Sequence, residues 1–467
     1  MSAMSVSKKM RDFTTGPLFF PMLAFALPVV ATGVLQMLYN TADKIVVGQF
    51  SGEPNALGAI GCTASLYTLI TALCTGLSMG TGVTVARRFG AHDERGLSRS
   101  VHTGFIVGAF IGTFIGVLGF FICRPLLVLM GTKPELLELS VLYMKIIFVG
   151  TPLSILYNFG AAAMRSVGDS RTPLFILALS GLLNVGFNFF FVILFDMSVE
   201  GVALGTVIAQ GASAVAIWWA LAKRQDASRF RFRDLCVDKS ALNDIIRIGL
   251  PSGLQSSLFA VSNVILSSAV NTFDTATVTG NAVSISIGTY TAQVSTGIYQ
   301  SVLTFTGQNA GARRLDRVKR ILCYGLLQSV SLCLLTGGLS NLFAEPLVSL
   351  FVEGGHPEYD AVLAAAKERL LAVVLPYFVC SAMDLVTGHL RGLRCSLIPM
   401  ITTVFLACFF RIFWVYAIFP YLPHTLTSLY ACYAISWVAN GGALFIASYF
   451  VMKKERRKLA ALSAAEG

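Results

Sequence analysis

Residues 18–47 read LFFPMLAFALPVVATGVLQMLYNTADKIVV, an apolar run interrupted late by Gln36, Tyr39, Asn40 and Asp43. About 20 apolar residues suffice for a helix to cross the hydrocarbon core of a bilayer, and this run is longer. A carboxylate at that depth costs at least about 3 kcal/mol. Asp43 therefore needs a compensating partner or a use. The uses open to it are binding a proton, a metal cation or a cationic substrate.

The rest of the chain follows the same pattern. Of its 467 residues, 55% are hydrophobic and 13% charged, against about 25% charged in a soluble domain. Mean hydropathy is +0.72. Apolar runs recur at 18–47, 56–86, 100–122, 138–159, 172–194, 200–222, 247–272, 280–308, 321–343, 366–389, 397–419 and 426–452. They are continuous, not alternating ten-residue segments, so they predict helices and exclude a barrel. The fold class is an all-α membrane protein of about twelve transmembrane helices. Pro28, Pro251 and Pro376 fall within or near the starts of spans and mark expected kinks.

The net charge of +11 is a matter of topology. Basic residues gather in alternate connections: Lys8, Lys9 and Arg11, then Arg87 to Arg99, then Arg165 and Arg171, the stretch from Lys223 to Arg247, Arg313 to Arg320, Arg391 and Arg394, and Lys453 to Lys458. The other connections carry Glu53, Asp196, Glu200, Asp274, Glu353, Glu358 and Asp360. By the positive-inside rule both termini are cytoplasmic and the span number is even. The expected location is the plasma (inner) membrane of a prokaryote, with lipid rather than nucleic acid as the basic partner. Ten cysteines are scattered with no CxxC pair and no metal-ligand spacing, so they read as packing residues.

The longest hydrophilic connection divides the chain. The expected organisation is a cytoplasmic tail 1–16, a first six-helix bundle 17–222, a linker 223–246, a second bundle 247–452 and a basic tail 453–467. Leu27-Pro28 answers to Leu250-Pro251, Gly90-Ala91 to Gly311-Ala312, Pro125 to Pro346, and Met164-Arg165 to Leu390-Arg391. Each half has an even number of spans, so the two repeats are parallel, related by an axis along the membrane normal, with substrate expected between them. Gly104, Gly108, Gly112 and Gly116 form one face of the third span and predict close packing inside the bundle. A cavity between two fused bundles needs no partner chain, so a monomer is expected.

The first half sets polar groups at membrane depth: Asp43, Asn158, Asn184, Asn188 and Thr206. Asn184 and Asn188 are one helical turn apart and share a face. Their oxygens suit a hard cation or a protonated carboxyl group. Interhelical hydrogen bonding is the alternative for each.

Leu27-Pro28, Asp43 with Val46-Val47-Gly48, and Arg165 followed by Gly168-Asp169 and Arg171-Thr172-Pro173 resemble the multidrug and toxic compound extrusion (MATE) transporters. The resemblance covers nearly the whole chain and implies two pseudo-symmetric six-helix bundles. It also implies a proton or cation site in the first bundle at Asp43, Asn184, Asn188 and Thr206, with Asn158 at a further polar position, and bending of the first helix at Pro28. Many relatives carry a second Asp where Asn188 stands. Its loss weakens the case for sodium at Asp43 and favours a proton; neither reading needs a cofactor.

In the second half Arg411 and Asp384 are charges within spans, expected to form a buried ion pair or, failing that, to bind an anionic substrate. The substrate cavity is expected to be lined by Gln36, Tyr39, Asn40, Tyr67, Met79, Phe259, Tyr290 and Tyr299, an aromatic and Met surface suited to amphipathic organic cations. The function implied is ion-coupled efflux of small organic compounds. Export of an endogenous metabolite or flipping of a lipid-linked substrate is the alternative. No catalytic or nucleotide-binding motif appears, so an enzyme is not expected.

Overall fold

A computed structural model describes residues 12–352 and 357–466; Lys8, Lys9, Arg11 and Glu353 of the loop-charge pattern lie outside the described residues. Every apolar run forms a helix. The first half supplies α1 (Phe19–Phe50), α2 (Ala56–Gly90), α3 (Glu94–Leu129), α4 (Pro134–Ser166), α5 (Arg171–Leu194) and α6 (Val199–Ala222). The second supplies α7 (Lys239–Val270), α8 (Thr275–Gly311), α9 (Leu315–Leu342), α10 (Tyr359–Gly392), α11 (Leu397–Tyr421) and α12 (Leu426–Glu466). Eleven are long and apolar enough to cross a membrane. The remaining one is α8, which at 37 residues has the length but carries many Ser, Thr and Gln residues.

Several helices overrun their apolar runs at the end where the basic loops gather. Asp93 caps α3 by accepting from the Gly96 N–H at 2.9 Å, and Asp238 caps α7 by accepting from the Ala241 N–H at 2.8 Å. The last part of the 223–246 connection thus belongs to α7, and α12 runs on through the basic tail to Glu466. Lys, Arg and Glu are good helix formers, and hydropathy no longer limits a helix once it leaves the hydrocarbon. The remaining connection straps onto the first half. Phe230 is buried against Trp218 and Phe105, and His102 bonds the backbone of Arg231. Within it Asp226 accepts from Arg224 Nε and from the Ser228 N–H, each at 2.9 Å. Burial pushes the Asp226 carboxyl up, but Arg224 and Ser228 outweigh it and hold it below the ordinary carboxylate value.

Of the three prolines, Pro376 interrupts its helix. A wide π turn over Leu370–Val374 precedes it, and the Leu370 carbonyl accepts from Asn341 Nδ2 at 3.2 Å. Pro28 and Pro251 sit inside unbroken α1 and α7. The α3 glycine ladder packs within the first bundle, meeting Thr81 of α2 and then Phe159, Pro152 and Phe148 of α4.

The halves meet along α2 with α7 and α1 with α8. These pairs exchange under the repeat, which maps α1 on α7 and α2 on α8. The α2–α7 contact depends on glycines: a Cβ at Gly76 would lie 2.5 Å from Gly253 Cα, and one at Gly249 would lie 2.6 Å from the Leu77 carbonyl oxygen. Among the described residues, hydrogen bonds between the halves all fall toward the basic end. Gln308 Nε2 donates to the Ser166 carbonyl at 2.8 Å, while Gln308 Oε1 accepts from the Phe13 N–H at 3.0 Å. Arg314 and Arg317 hold the carbonyls of Phe13 to Gly16, and the Phe13 ring stacks on Phe305 at 3.9 Å. The basic end is closed and the halves part toward the acidic end.

Candidate functional site

Asp43 lies on α1 at 9% exposure, facing α5 and α6. Asn188 Nδ2 donates to Asp43 Oδ1 at 2.5 Å. One turn earlier on α5, Asn184 Nδ2 donates to Thr206 Oγ1 of α6 at 3.2 Å. The four residues singled out in sequence are thus one cluster across three helices. Asn184, Thr206 and Asp43 open onto a cavity, whereas Asn188 is fully buried behind them. The Oδ1 atoms of Asn184 and Asn188 are buried and have no hydrogen-bond partner among the described residues. The cluster therefore offers a carboxylate, two free amide oxygens and a hydroxyl, a set able to hold a proton or a small hard cation.

The cavity measures about 260 Å³ and lies between the first bundle and α8. Gln36, Tyr39, Asn40, Tyr67 and Asn158 line it with Asp43, and the Tyr39 hydroxyl lies 3.1 and 3.2 Å from the carbonyls of Leu177 and Ala178. Asn158 donates to the Ser154 carbonyl at 2.9 Å. Sequence reasoning missed the remaining polar wall: Thr71 and Thr75 of α2, Gln210 of α6, Arg165 of α4, and Gln293, Thr296 and Gln300 of α8. The α8 residues follow an i, i+3, i+7 spacing that puts them on one helix face. That spacing inside a spanning segment was the available signal.

Met79, Phe259, Tyr290 and Tyr299 do not line this cavity, so its wall combines the tyrosines Tyr39, Tyr67 and Tyr157 with amides and hydroxyls, without Met. Tyr299 is turned about 100° from Gln300 on α8. It is buried, and its hydroxyl accepts from Arg391 Nη1 at 2.5 Å and donates to Met79 Sδ at 3.2 Å. Tyr290 is 47% exposed, and Phe259 lies under a guanidinium in the second bundle.

That guanidinium belongs to Arg411, and the expected ion pair with Asp384 does not form. Arg411 is fully buried on a short α segment between two π turns of α11. It donates from Nη1 to Asn263 Oδ1 at 2.9 Å and from Nε to Ser436 Oγ at 3.2 Å, with the Phe259 and Tyr433 rings at 4.8 and 4.6 Å. Two neutral acceptors and two ring faces thus surround the guanidinium, while Nη2 is buried without a partner among the described residues. Asp384, on α10, is partly buried with no cation within ion-pair distance among the described residues. Arg391, read from sequence as a loop charge, is 3% exposed and donates from Nη2 to Gln255 Oε1 at 2.8 Å; Gln255 in turn donates to Thr403, which also accepts from Asn440.

Comparison with known proteins agrees with the two-half fold. The profile of the MatE family matches residues 28–190 and again 251–417, one copy in each half. The probable multidrug resistance protein YoeA of Bacillus subtilis (strain 168) is 25% identical over 396 residues, spanning 82% of this chain and 83% of that protein. The probable multidrug resistance protein NorM of Thermotoga maritima is 25% identical over 394 residues, spanning 82% of each. A crystal structure of a MATE protein in the straight conformation superposes with a TM-score of 0.86 at 21% identity, over 96% of this chain and 99% of that one. With the family profile repeated in both halves and the fold shared along nearly its full length, this multi-pass membrane protein belongs to the MatE family and is a transporter, not an enzyme.

Proposed function

We propose that the protein is a secondary antiporter that exports amphipathic organic compounds and is driven by protons entering through Asp43. The observation that carries this reading is the Asp43 cluster: one buried carboxylate, held by Asn188 and open to the same cavity that would take the substrate. The efflux role is supported by the names of YoeA and NorM, which say probable multidrug resistance of those proteins. A single carboxylate supports a proton over sodium, because the cluster supplies one formal negative charge against a buried cation. Asn188 also directs its N–H, not its oxygen, at Asp43; holding sodium would require that amide to turn.

Protonating Asp43 removes the charge to which Asn188 donates and weakens the α1–α5 contact. Pro28 lies within the α1–α8 interface, which runs from Met22 to Gly33, so a bend of α1 there alters its packing on α8. The bilayer equilibrium between a form closed at the basic end and one closed at the acidic end then shifts with proton occupancy. With the basic end cytoplasmic by the positive-inside rule, the form described above is outward-open. A flippase would be expected to line its cavity with several cations, and this cavity has Arg165 alone.

The test is Asp43→Asn in proteoliposomes. Proton-gradient-driven efflux of a fluorescent cation should vanish while exchange of labelled for unlabelled substrate persists, and a sodium gradient should drive nothing in the parent. Gradient-driven efflux by the variant, or driving by sodium alone, contradicts the proposal.

A further inference from the structure

The cavity wall holds two formal charges, Asp43 and Arg165. Arg165 stands in the last turn of α4, seven residues beyond Asn158 and on the same face, about 10 Å further along the helix axis. A terminal arginine ordinarily caps carbonyls or reaches solvent. Arg165 is partly buried and caps no carbonyl: its Nε is buried without a partner, and no group among the described residues accepts from the guanidinium. Arg391, its counterpart in the second half, is engaged through both terminal nitrogens by Tyr299, Met79 and Gln255. Nε is buried without a partner among the described residues at both positions, so the difference lies at the terminal nitrogens, which protein groups engage in Arg391 and which face a cavity in Arg165. The next residue, Ser166, accepts from Gln308 in the contact that closes the basic end. Arg165 therefore lies on the floor of the cavity, directly against the closed gate.

We propose that Arg165 is an anion subsite, and that the transported compound is a zwitterionic amphiphile whose carboxylate it holds. An arginine fork binds a carboxylate through two parallel hydrogen bonds, and its partial burial reduces competition from water. The cationic part of the same molecule lies toward Asp43, and the amide and hydroxyl wall accommodates the neutral remainder. This substrate class rests on the efflux reading above and fits its direction of coupling. A proton arriving at Asp43 removes the charge facing the cationic part, which favours release. A purely anionic substrate would be held more tightly at that moment. Because Arg165 adjoins the gate, it meets the cytoplasm once the basic end opens, so the carboxylate can load from that side.

The experiment compares equilibrium binding of a rhodamine with a free carboxyl group against its ethyl ester, by fluorescence polarisation on the full-length purified protein. The two dyes share a cation and differ only in the anionic group. The parent protein should prefer the acid by roughly tenfold or more, and Arg165→Gln should bring the acid-to-ester ratio near one. A parent ratio near one, or a ratio unchanged in Arg165→Gln, overturns the proposal. Should the variant fail to purify, the parent ratio alone decides. Binding in detergent needs no ion gradient, so failure here is distinguishable from failure of proton-driven antiport, which is read at Asp43.

Discussion

In the first bundle, Asp43, Asn184, Thr206 and Arg165 face an open cavity. In the second, Arg391, Tyr299, Gln255, Thr403 and Asn440 form a connected chain and Arg411 is enclosed by Asn263, Ser436 and two rings, away from that cavity; Arg391 Nε, Arg411 Nη2 and Asn440 Oδ1 are buried without a partner among the described residues. The repeat preserves the helices and even the Arg165–Arg391 correspondence while dividing the work between them. Polar groups that bond each other fix a core. Polar groups left available to a cavity can bind and release. The second bundle reads as scaffold and the first as machine.

Four substitutions probe that contrast. The largest stability effect belongs to the scaffold: Arg411→Ala leaves a cavity and strands Asn263 and Ser436, lowering stability by about 3 kcal/mol or more. Thermal unfolding in detergent measures it, and transport per folded molecule should survive. If Arg411→Ala abolishes gradient-driven transport in folded protein, the division of labour fails. Gly76→Val acts where the halves touch. Overpacking against Gly253 costs about 1–3 kcal/mol, so the form closed at the basic end should lose population roughly tenfold, read by spin-label distances across that end. Asn188→Asp sharpens the ion assignment. A second carboxylate beside Asp43 should create a sodium-dependent rise in melting temperature, equivalent to about 1.4 kcal/mol for tenfold tighter sodium, with none in the parent.

The smallest effect lies in the connection between bundles. Asp226→Asn should cost about 1 kcal/mol near neutral pH, since Arg224 and Ser228 favour the ionised carboxyl. The folded-state value is depressed, so the parent's extra stability is present above the ordinary value of about 3.9 and is lost as pH falls through the lower folded value. Melting curves of parent and variant should converge in acid.

Much of the fold was legible because a membrane span needs a continuous apolar run, and twelve such runs stood out. Helix ends at the basic side were not, because outside the hydrocarbon α3, α7 and α12 continue on capping and helix propensity that hydropathy does not register. That same overrun explains why Arg165 and Arg391 looked like loop charges: they lie in the last turns of α4 and α10 and are drawn inward by packing. The Asp43 cluster was legible through the family resemblance and the four-residue spacing of Asn184 and Asn188. The Asp384–Arg411 pairing was not, since opposite charge in two spans says nothing of rotation about each helix axis. Gln36, Tyr39, Asn40 and Tyr67 line the cavity as expected, whereas its α8 side differs for a related reason: residue type pointed to Tyr290 and Tyr299, but the i, i+3, i+7 face of Gln293, Thr296 and Gln300 determined what α8 presents.

The central claim is that substrate and proton contend for the first bundle through Asp43. It is tested most directly by proton release: purified protein in weak buffer, across the neutral range, receives a saturating transported cation while pH is recorded. The account predicts protons released by the parent and by Arg411→Lys, and none by Asp43→Asn that still binds the dye. Equal release from Asp43→Asn would contradict it.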